Sequence, residues 1–563
     1  VFKRLINSNS KSITSAAIII GGLSLVSRLV GILRDRILAS EFGAGDVLDA
    51  YYAAFRLPDF VYNLIILGAV SAGLIPVFTS LLTKNQKQEA WKLINSILNL
   101  LSIGLIVACV ILFITAPWLM PLVTPGFSQA KLKLVVGLSQ IMFLSPIFLG
   151  ISAIFGSVLQ SFRRFFAYSI APIFYNVGII IGALFFVKWW GVYGLAWGVV
   201  LGALLHLIIQ LAPIFLTGYK YTLDLNLKNK NVIQVGKLML PRTLSLLITQ
   251  INFLIITIVA STLAVGSLAI FNLSNNLQNF PLGIFGVSLA VAALPVLSSL
   301  WAEKKKNEFV ATISTTFRQT LFFIVPTSVL MYVLRAQIVR VILGAGNFNW
   351  YDTRLTAASL AIFCLGLFAQ GAFPLIIRGF YALHNTKTPF YIGLATMVVN
   401  FLSLIFFRWL YSFHNGWLFF TTAILRIDDL SQLVDFRVLA LPAAITVSSV
   451  FELLALMIYL RKIIGRLDGR KILDSVFRIL FASLGAGLFA YGTLQIMEKF
   501  VRTETFVGIF TQGLLAGLIG LAGYWLIGFL LRMEEMAIFM SSIKRKLFKS
   551  ARVVAEDNLG EAD

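Results

Sequence analysis

The chain has 563 residues, is 59% hydrophobic and only 12% charged, and carries a formal net charge of +22, with a mean hydropathy of +0.90. That composition excludes a soluble globular domain and leaves an integral membrane protein whose chain is mostly constrained by the bilayer. The positive charge is spread over short loops and not gathered on one soluble face, which argues against nucleic acid as a partner.

Apolar runs recur from Ile13 to Leu531 at intervals of roughly 30 to 40 residues, and a spanning helix needs about 20. The expectation is an all-α polytopic membrane protein with about fourteen transmembrane helices. The amino-terminal stretch "VFKRLINSNSKSITSAAIII" is basic and then apolar, with no small-residue cleavage site after it, so it reads as the first retained span.

Within that span, "SRLVGILRDRILASEF" places Arg28 and Asp35 on one helical face, with Arg34 and Arg36 flanking it. In the second span Asp49, Tyr52, Arg56 and Asn63 fall on one stripe, and Pro58 predicts a kink. A charge at bilayer depth costs at least about 2.5 to 3.5 kcal/mol on the insertion scale, so Arg28 is expected to face a bundle interior or a watery cavity. A purely structural ion pair with Asp35 or Asp49 is the competing reading. The eighth span, "IFNLSNNLQNFPLGIFG", lines up Asn272, Asn275, Asn276 and Asn279 on one side. Their amides both donate and accept, which suits sugars and peptide groups as well as phosphate oxygens. Arg318 and Arg378 are second-tier candidates, for which snorkelling toward headgroups is the competing reading; Arg242 is open to the same reading, and Glu452 could neutralise a neighbour or bind a proton.

Cys109 and Cys364 lie in apolar runs, and His206, His384 and His414 are scattered without ligand spacing, so neither a metal nor a cofactor is expected. No nucleophile, base and acid converge, and no nucleotide motif occurs, so an enzyme is not expected.

The chain also repeats. "AGLIPVFTSLLTKNQKQEAW" matches "VAALPVLSSLWAEKKKNEF", with Pro76 against Pro295, and "RRFFAYSIAPIFYN" echoes a later stretch ending at Asn400, with Asn176 against it. A period of about 220 residues holds six spans, which makes a parallel repeat with a pathway between its halves. The expected organisation is an N-lobe over 1–217, a C-lobe over 233–463, two parallel six-helix lobes around a central cavity, two extra helices over 468–533 and a basic then acidic tail over 534–563. Lys84, Lys87, Arg163, Arg164, Lys220, Lys228, Lys230, Lys304, Lys305, Lys306 and Lys387 fall in loops of one side, whereas the long loop from Tyr411 to Arg437 contains Asp428, Asp429 and Asp435. The positive-inside rule then puts both termini in the cytoplasm.

Several of these stretches carry a family resemblance. "SRLVGILRDRILASEFGAGDVLDAYYAAFRLPDF", "VLQSFRRFFAYSIAPIFYN", "FPLGIFGVSLAVAALPVLS" and "RGFYALHNTKTP" resemble signatures of the MurJ/MVIN-type lipid II flippase family, within the multidrug, oligosaccharidyl-lipid and polysaccharide exporter superfamily. The resemblance runs from about Lys11 to Leu531. It implies a transporter of the inner (cytoplasmic) membrane that moves lipid II, the undecaprenyl-pyrophosphate-linked peptidoglycan precursor, from inner to outer leaflet by alternating access. Its implied partners are lipid II or a related undecaprenyl-pyrophosphate glycolipid, the bilayer, and cell-wall synthesis proteins. Carried over by position, Arg28 and Arg34 match functional arginines, Asp35 follows in the same motif, Asp49 matches a functional acid, and Arg56 occupies a basic position.

With the asparagines, the implied substrate-binding set is Arg28, Arg34, Asp35, Asp49, Arg56, Asn272, Asn276 and Asn279, backed by Tyr52, Asn63, Arg318 and Arg378. The sequence departs from the pattern at Tyr62, Asn63 and Leu67, where many relatives have an arginine pair and a glutamate, and at Asn276, near which they have an arginine. A sodium site of some relatives is not carried over, because no acid lies in the seventh or eleventh span. A flippase for another lipid-linked oligosaccharide and a cation-coupled drug exporter remain alternatives on the same fold, and a non-transporting scaffold is a third.

Overall fold

The computed structural model describes residues 13–67, 73–412, 436–502 and 505–541, and the side chains of all of these except 13–18, 67, 241 and 242. The acidic stretch with Asp428, Asp429 and Asp435, the tail beyond Ser541 and the side chain of Arg242 lie outside that set. Among the described residues every regular element is helical and no strand occurs.

The first helix, α1 (Ile13–Phe42), is continuous over 30 residues, about 45 Å at 1.5 Å per residue. It is followed by α2 (Asp46–Ala54), α3 (Arg56–Tyr62), a π turn over Asn63–Leu67 and α4 (Ile75–Thr83). The break between α2 and α3 at Phe55 has a local cause. Pro58 has no N–H to give the carbonyl of Ala54, and its ring crowds that carbonyl. The freed oxygen is satisfied instead by the Ser139 hydroxyl at 3.0 Å, as backbone at membrane depth requires.

The chain continues through α5 (Lys87–Val123), α6 (Gln129–Met142), α7 (Leu144–Ser161), α8 (Phe165–Ile181), α9 (Tyr193–Phe215), α10 (Lys230–Ser261), α11 (Ser267–Pro281) and α12 (Ser288–Ala302). Then come α13 (Lys306–Val333), α14 (Arg335–Ile342), α15 (Trp350–Ala382), α16 (Lys387–Leu410), α17 (Ala440–Ile464), α18 (Gly469–Glu498) and α19 (Phe506–Leu530). Among the described residues 11 helices are long and apolar enough to span a membrane, or 12 when α13 and α14, bent by 78°, count as one span. This is a multi-pass membrane protein. The count stops short of the about fourteen spans expected. The two expected spans outside it are the first and second, parts of which, the side chains of 13–18 and residues 68–72, lie outside the described set; the second is also broken at Phe55.

The sequence repeat reappears as backbone geometry. Asn85 and Lys304 both have positive φ (59°), and so do Arg163 (57°) and His384 (56°); each pair is about 220 residues apart. At all four, the next amide reaches back to the carbonyl five residues earlier: Gln86 to Leu81, Arg164 to Leu159, Lys305 to Leu300 and Asn385 to Phe380, each at 2.8 to 3.0 Å. These are Schellman closures, which end a helix by turning one residue left-handed.

Contacts divide the chain into two compact units. The first comprises Val1–Leu277, Ile342–Ser359 and Gly393–Ala444. Within it α8 and α9 approach through glycine: a Cβ on Gly178 would run into the backbone of Gly202, and one on Gly182 into that of Gly198. Close backbone approach of this kind drives helix pairing where lipid removes the hydrophobic incentive. The second comprises Gln278–Val341, Leu360–Ile392 and Ile445–Asp563. Its core gathers Phe309, Phe322, Phe380, Leu456 and Ala486, and the Tyr524 hydroxyl donates to the Phe322 carbonyl at 2.8 Å.

Candidate functional site

The site is built within the first unit, on α1, α2, α3, α8 and α11. On α1 the Arg34 guanidinium folds onto its neighbour, with Nε and Nη2 donating to Asp35 Oδ1 at 3.0 and 2.7 Å. Its third donor, Nη1, reaches Asn176 Oδ1 on α8 at 2.9 Å. Asn176 presents that oxygen because its own Nδ2 is spent on the Pro172 carbonyl one turn back, at 3.0 Å. The second oxygen of Asp35 accepts from Asn276 Nδ2 on α11 at 3.0 Å. A deeply buried carboxylate is thus shared between an arginine and an amide, while the Arg34 side chain keeps 22% of its surface open.

Arg56, at the first position after the Pro58-induced break, is held from α11 as well. Its Nη2 donates to Asn272 Oδ1 at 2.9 Å, and its guanidinium lies over the Phe253 ring at 5.5 Å, a cation–π contact. Asn272 is oriented like Asn176, with Nδ2 bonded to the carbonyl four residues earlier, Leu268, at 2.7 Å. The Arg56 Nε and the Tyr52 hydroxyl are buried without a hydrogen-bond partner. Unmade bonds of this kind are costly in a closed site and mark donors that a ligand can use.

These groups surround a cavity of about 270 Å³ lined by Arg34, Asp35, Tyr51, Tyr52, Phe55, Arg56, Asp59, Tyr175 and Asn272, with Leu38 and Ile179. Chemically, the wall offers two forked guanidinium groups, phenol hydroxyls and an amide, which match the oxygens of a phosphate or pyrophosphate. It also offers Asp35 and Asp59, whose carboxylates would accept hydrogen bonds from hydroxyl or ammonium groups.

The remaining predicted residues lie elsewhere. Arg28 is half-buried on α1, two turns before Arg34, and is not among the lining residues. Asp49 is 2% exposed and acts on the backbone: it accepts from the N–H groups of Gly266 and Ala269 at 2.8 and 2.9 Å. It thereby caps the N-terminus of α11, where orphan amides and the helix dipole favour an anion. Lys131 compensates it at 2.8 Å, also contacts Asp46 at 2.8 Å, and rests on the Phe127 ring at 4.0 Å. Asn63 donates to the Asp59 carbonyl at 2.8 Å. Asn279 is exposed and belongs to the second unit. Arg378 donates to the Val287 carbonyl at 3.2 Å. Arg318 is buried in an acid cluster, with Glu535 at 2.7 Å, Glu534 at 2.9 Å and Ser475 at 3.3 Å.

Lys131, Asn176, Tyr175 and Asp59 were not singled out from the sequence as site residues. Asn176 carried a signal, its recurrence at Asn400 in the repeat; Lys131, in "SQAKLKL", looks like any loop-end lysine.

Comparison with known proteins bears on what this site serves. A family model described as lipid II flippase MurJ matches residues 38–511. A protein of Burkholderia cenocepacia described as lipid II flippase MurJ is 27% identical over 396 residues, 69% of this chain and 77% of its own length. A probable lipid II flippase MurJ of Thermotoga maritima is 30% identical over 379 residues, 66% of this chain and 75% of its own. Among solved structures, one described as lipid II flippase MurJ in an inward closed conformation has a TM-score of 0.71 at 23% identity, over 92% of this chain and 99% of that one. An inward-facing multidrug-resistance MATE transporter of the MOP superfamily has a TM-score of 0.62 at 12% identity, over 80% and 99%. The fold is therefore of the MurJ and MATE type.

Proposed function

The chain belongs to the lipid II flippase MurJ family, and on that premise we propose that it moves lipid II from the inner to the outer leaflet of the cytoplasmic membrane, its pyrophosphate received by Arg34 and Arg56. It works as a transporter and not as an enzyme, with both termini in the cytoplasm and a polar passage that opens alternately to either side. The headgroup crosses in the cavity while the lipid tail stays in the bilayer.

The observation that carries this reading is the arrangement of Arg34. Its charge is held by a single carboxylate that a second amide also holds, and part of the guanidinium faces the cavity. An incoming phosphate oxygen replaces Asp35 on Arg34, and Asp35 keeps Asn276. The unpartnered Arg56 Nε and Tyr52 hydroxyl supply further donors. Arg28, two turns along α1, extends the basic path the headgroup follows. Asp49 contributes at a distance, by fixing the start of α11 and so the amides of Asn272 and Asn276.

The lining residues also bear on the driving force. With Arg34, Asp35, Arg56 and Asp59 all ionised, the lining of the empty cavity carries no net charge, and the loaded one carries the charge of the pyrophosphate. An inside-negative potential then favours outward movement of the loaded state, by about 2.3 kcal/mol per charge per 100 mV.

The test is replacement of a host's own lipid II flippase by this chain, with outer-leaflet lipid II measured. The chain restores it, and Arg34→Ala at equal membrane abundance does not. Restoration by Arg34→Ala would remove the role given to that arginine; failure of the unaltered chain would remove lipid II as the substrate and leave another lipid-linked oligosaccharide.

A further inference from the structure

The connection between α9 and α10 is the least regular described part of the first unit, yet it is held firmly. Two buried asparagines of α5, Asn95 and Asn99, grip its backbone: Asn95 Nδ2 donates to the Lys220 carbonyl at 3.0 Å and to Thr222 Oγ1 at 2.7 Å. Asn99 Nδ2 donates to the carbonyls of Thr222 and Asp224 at 3.2 and 3.0 Å. The oxygens of the same amides accept from the hydroxyls of Tyr219 and Tyr221 at 2.7 and 2.9 Å. The side chains of Tyr219, Tyr221 and Thr222 are the ones tied to α5.

Beyond them Leu223, Leu225 and Leu227 are 75%, 47% and 66% exposed. Three large exposed apolar groups thus stand on a strap whose backbone is fixed to α5. Beside them stand three exposed lysines, Lys220, Lys228 and Lys230, against one acid, Asp224. The helix that leads in ends with Phe215 and Leu216, both more than half exposed. The apolar face is thus continuous with the lipid-facing end of a span. A stripe of apolar groups flanked by lysines at the end of a spanning helix is complementary to one surface, the border between acyl chains and anionic headgroups.

We propose that residues 219–230 form a membrane-surface strap, in which Leu223, Leu225 and Leu227 enter the acyl border of the adjoining leaflet and Lys220, Lys228 and Lys230 bind anionic phospholipid headgroups. Asn95 and Asn99 set its depth.

The test uses the full chain with Cys109 and Cys364 replaced by alanine, single cysteines at Leu223, Leu225 or Asn226, and an environment-sensitive nitrobenzoxadiazole label, in nanodiscs of phosphatidylcholine with or without phosphatidylglycerol. The expected result is blue-shifted emission at 223 and 225, quenched at least twofold by spin-labelled acyl chains and strengthened by phosphatidylglycerol, with water-like emission at 226. Water-like emission at all three positions overturns the proposal. A blue shift indifferent to phosphatidylglycerol overturns its headgroup half. A second reading needs no label: phosphatidylglycerol co-purifying with the otherwise unaltered chain falls at least twofold in K220Q/K228Q/K230Q, and unchanged lipid overturns the lysine assignment.

Discussion

Arg34 in the first unit and Arg318 in the second both lie on long helices and are both tied to carboxylates at 2.7 Å, and they differ in how fully they are compensated. Arg318 has two acids and a hydroxyl on Nη1, and 7% of its side chain is exposed. Ser475 in turn donates to Glu535 at 2.7 Å, although Arg318 Nε, like Arg56 Nε, has no hydrogen-bond partner. Arg34 has one acid and leaves 22% of its side chain facing a cavity. The number of compensating groups and the open remainder, more than the presence of a charge at depth, separate the arginine proposed to receive a ligand from one that holds helices together.

That contrast can be broken most directly by truncating both residues. Arg34→Ala is expected to lower lipid II transport by about a hundredfold or more, because a buried charged contact to the transported anion is lost. Asp35 keeps its bond from Asn276, so the loss of detergent thermal stability should be smaller than for Arg318→Ala. Arg318→Ala reverses the pattern: the orphaned acids destabilise the fold by about 3 to 5 kcal/mol, read as a lower melting temperature, and transport per folded molecule is kept. The double variant R318M/E535L, which removes the arginine with its most buried acid, should recover most of the stability. Recovery of transport by Arg34→Ala, or selective loss of transport in R318M/E535L, would erase the distinction.

Lys131 sharpens the same comparison from a third position. Lys131→Met leaves Asp49 with its two backbone donors from Gly266 and Ala269, so the loss is expected to be about 1 to 3 kcal/mol, smaller than for Arg318. Because Asp49 holds the start of α11, a weaker cap should also slacken Asn272 and Asn276, seen as faster hydrogen exchange at the N–H groups of 266–269. The smallest effect is expected for Asn276→Ala, which removes one neutral donor from Asp35 and should raise the lipid II concentration needed for half-maximal transport by no more than about tenfold.

Much of this was legible in the sequence because the signal was local. Hydropathy gave a polytopic helical membrane protein, Pro58 gave the break at Phe55, and matched prolines and basic loops gave a period that returns as four Schellman closures. Helical spacing put Arg34, Arg56, Tyr52 and the asparagines of α11 on faces that could line a cavity, and five of the named residues do border it: Arg34, Asp35, Tyr52, Arg56 and Asn272.

Pairing was settled elsewhere. Nothing within α1 tells Asp35 that its second oxygen will meet Asn276, nothing near Asp49 announces Lys131 and the amides of Gly266 and Ala269, and nothing in α13 points to acids beyond α19. A helix fixes the direction in which each side chain leaves the axis, and that follows from neighbours in sequence. Which group waits in that direction depends on contacts between residues far apart in the chain, and in a bilayer those are chosen by close packing of whole helices. Composition and periodicity therefore determined the membrane class and the charged faces of this protein. Tertiary packing alone decided which of its charges were sealed, which capped a helix, and which were left bordering a cavity.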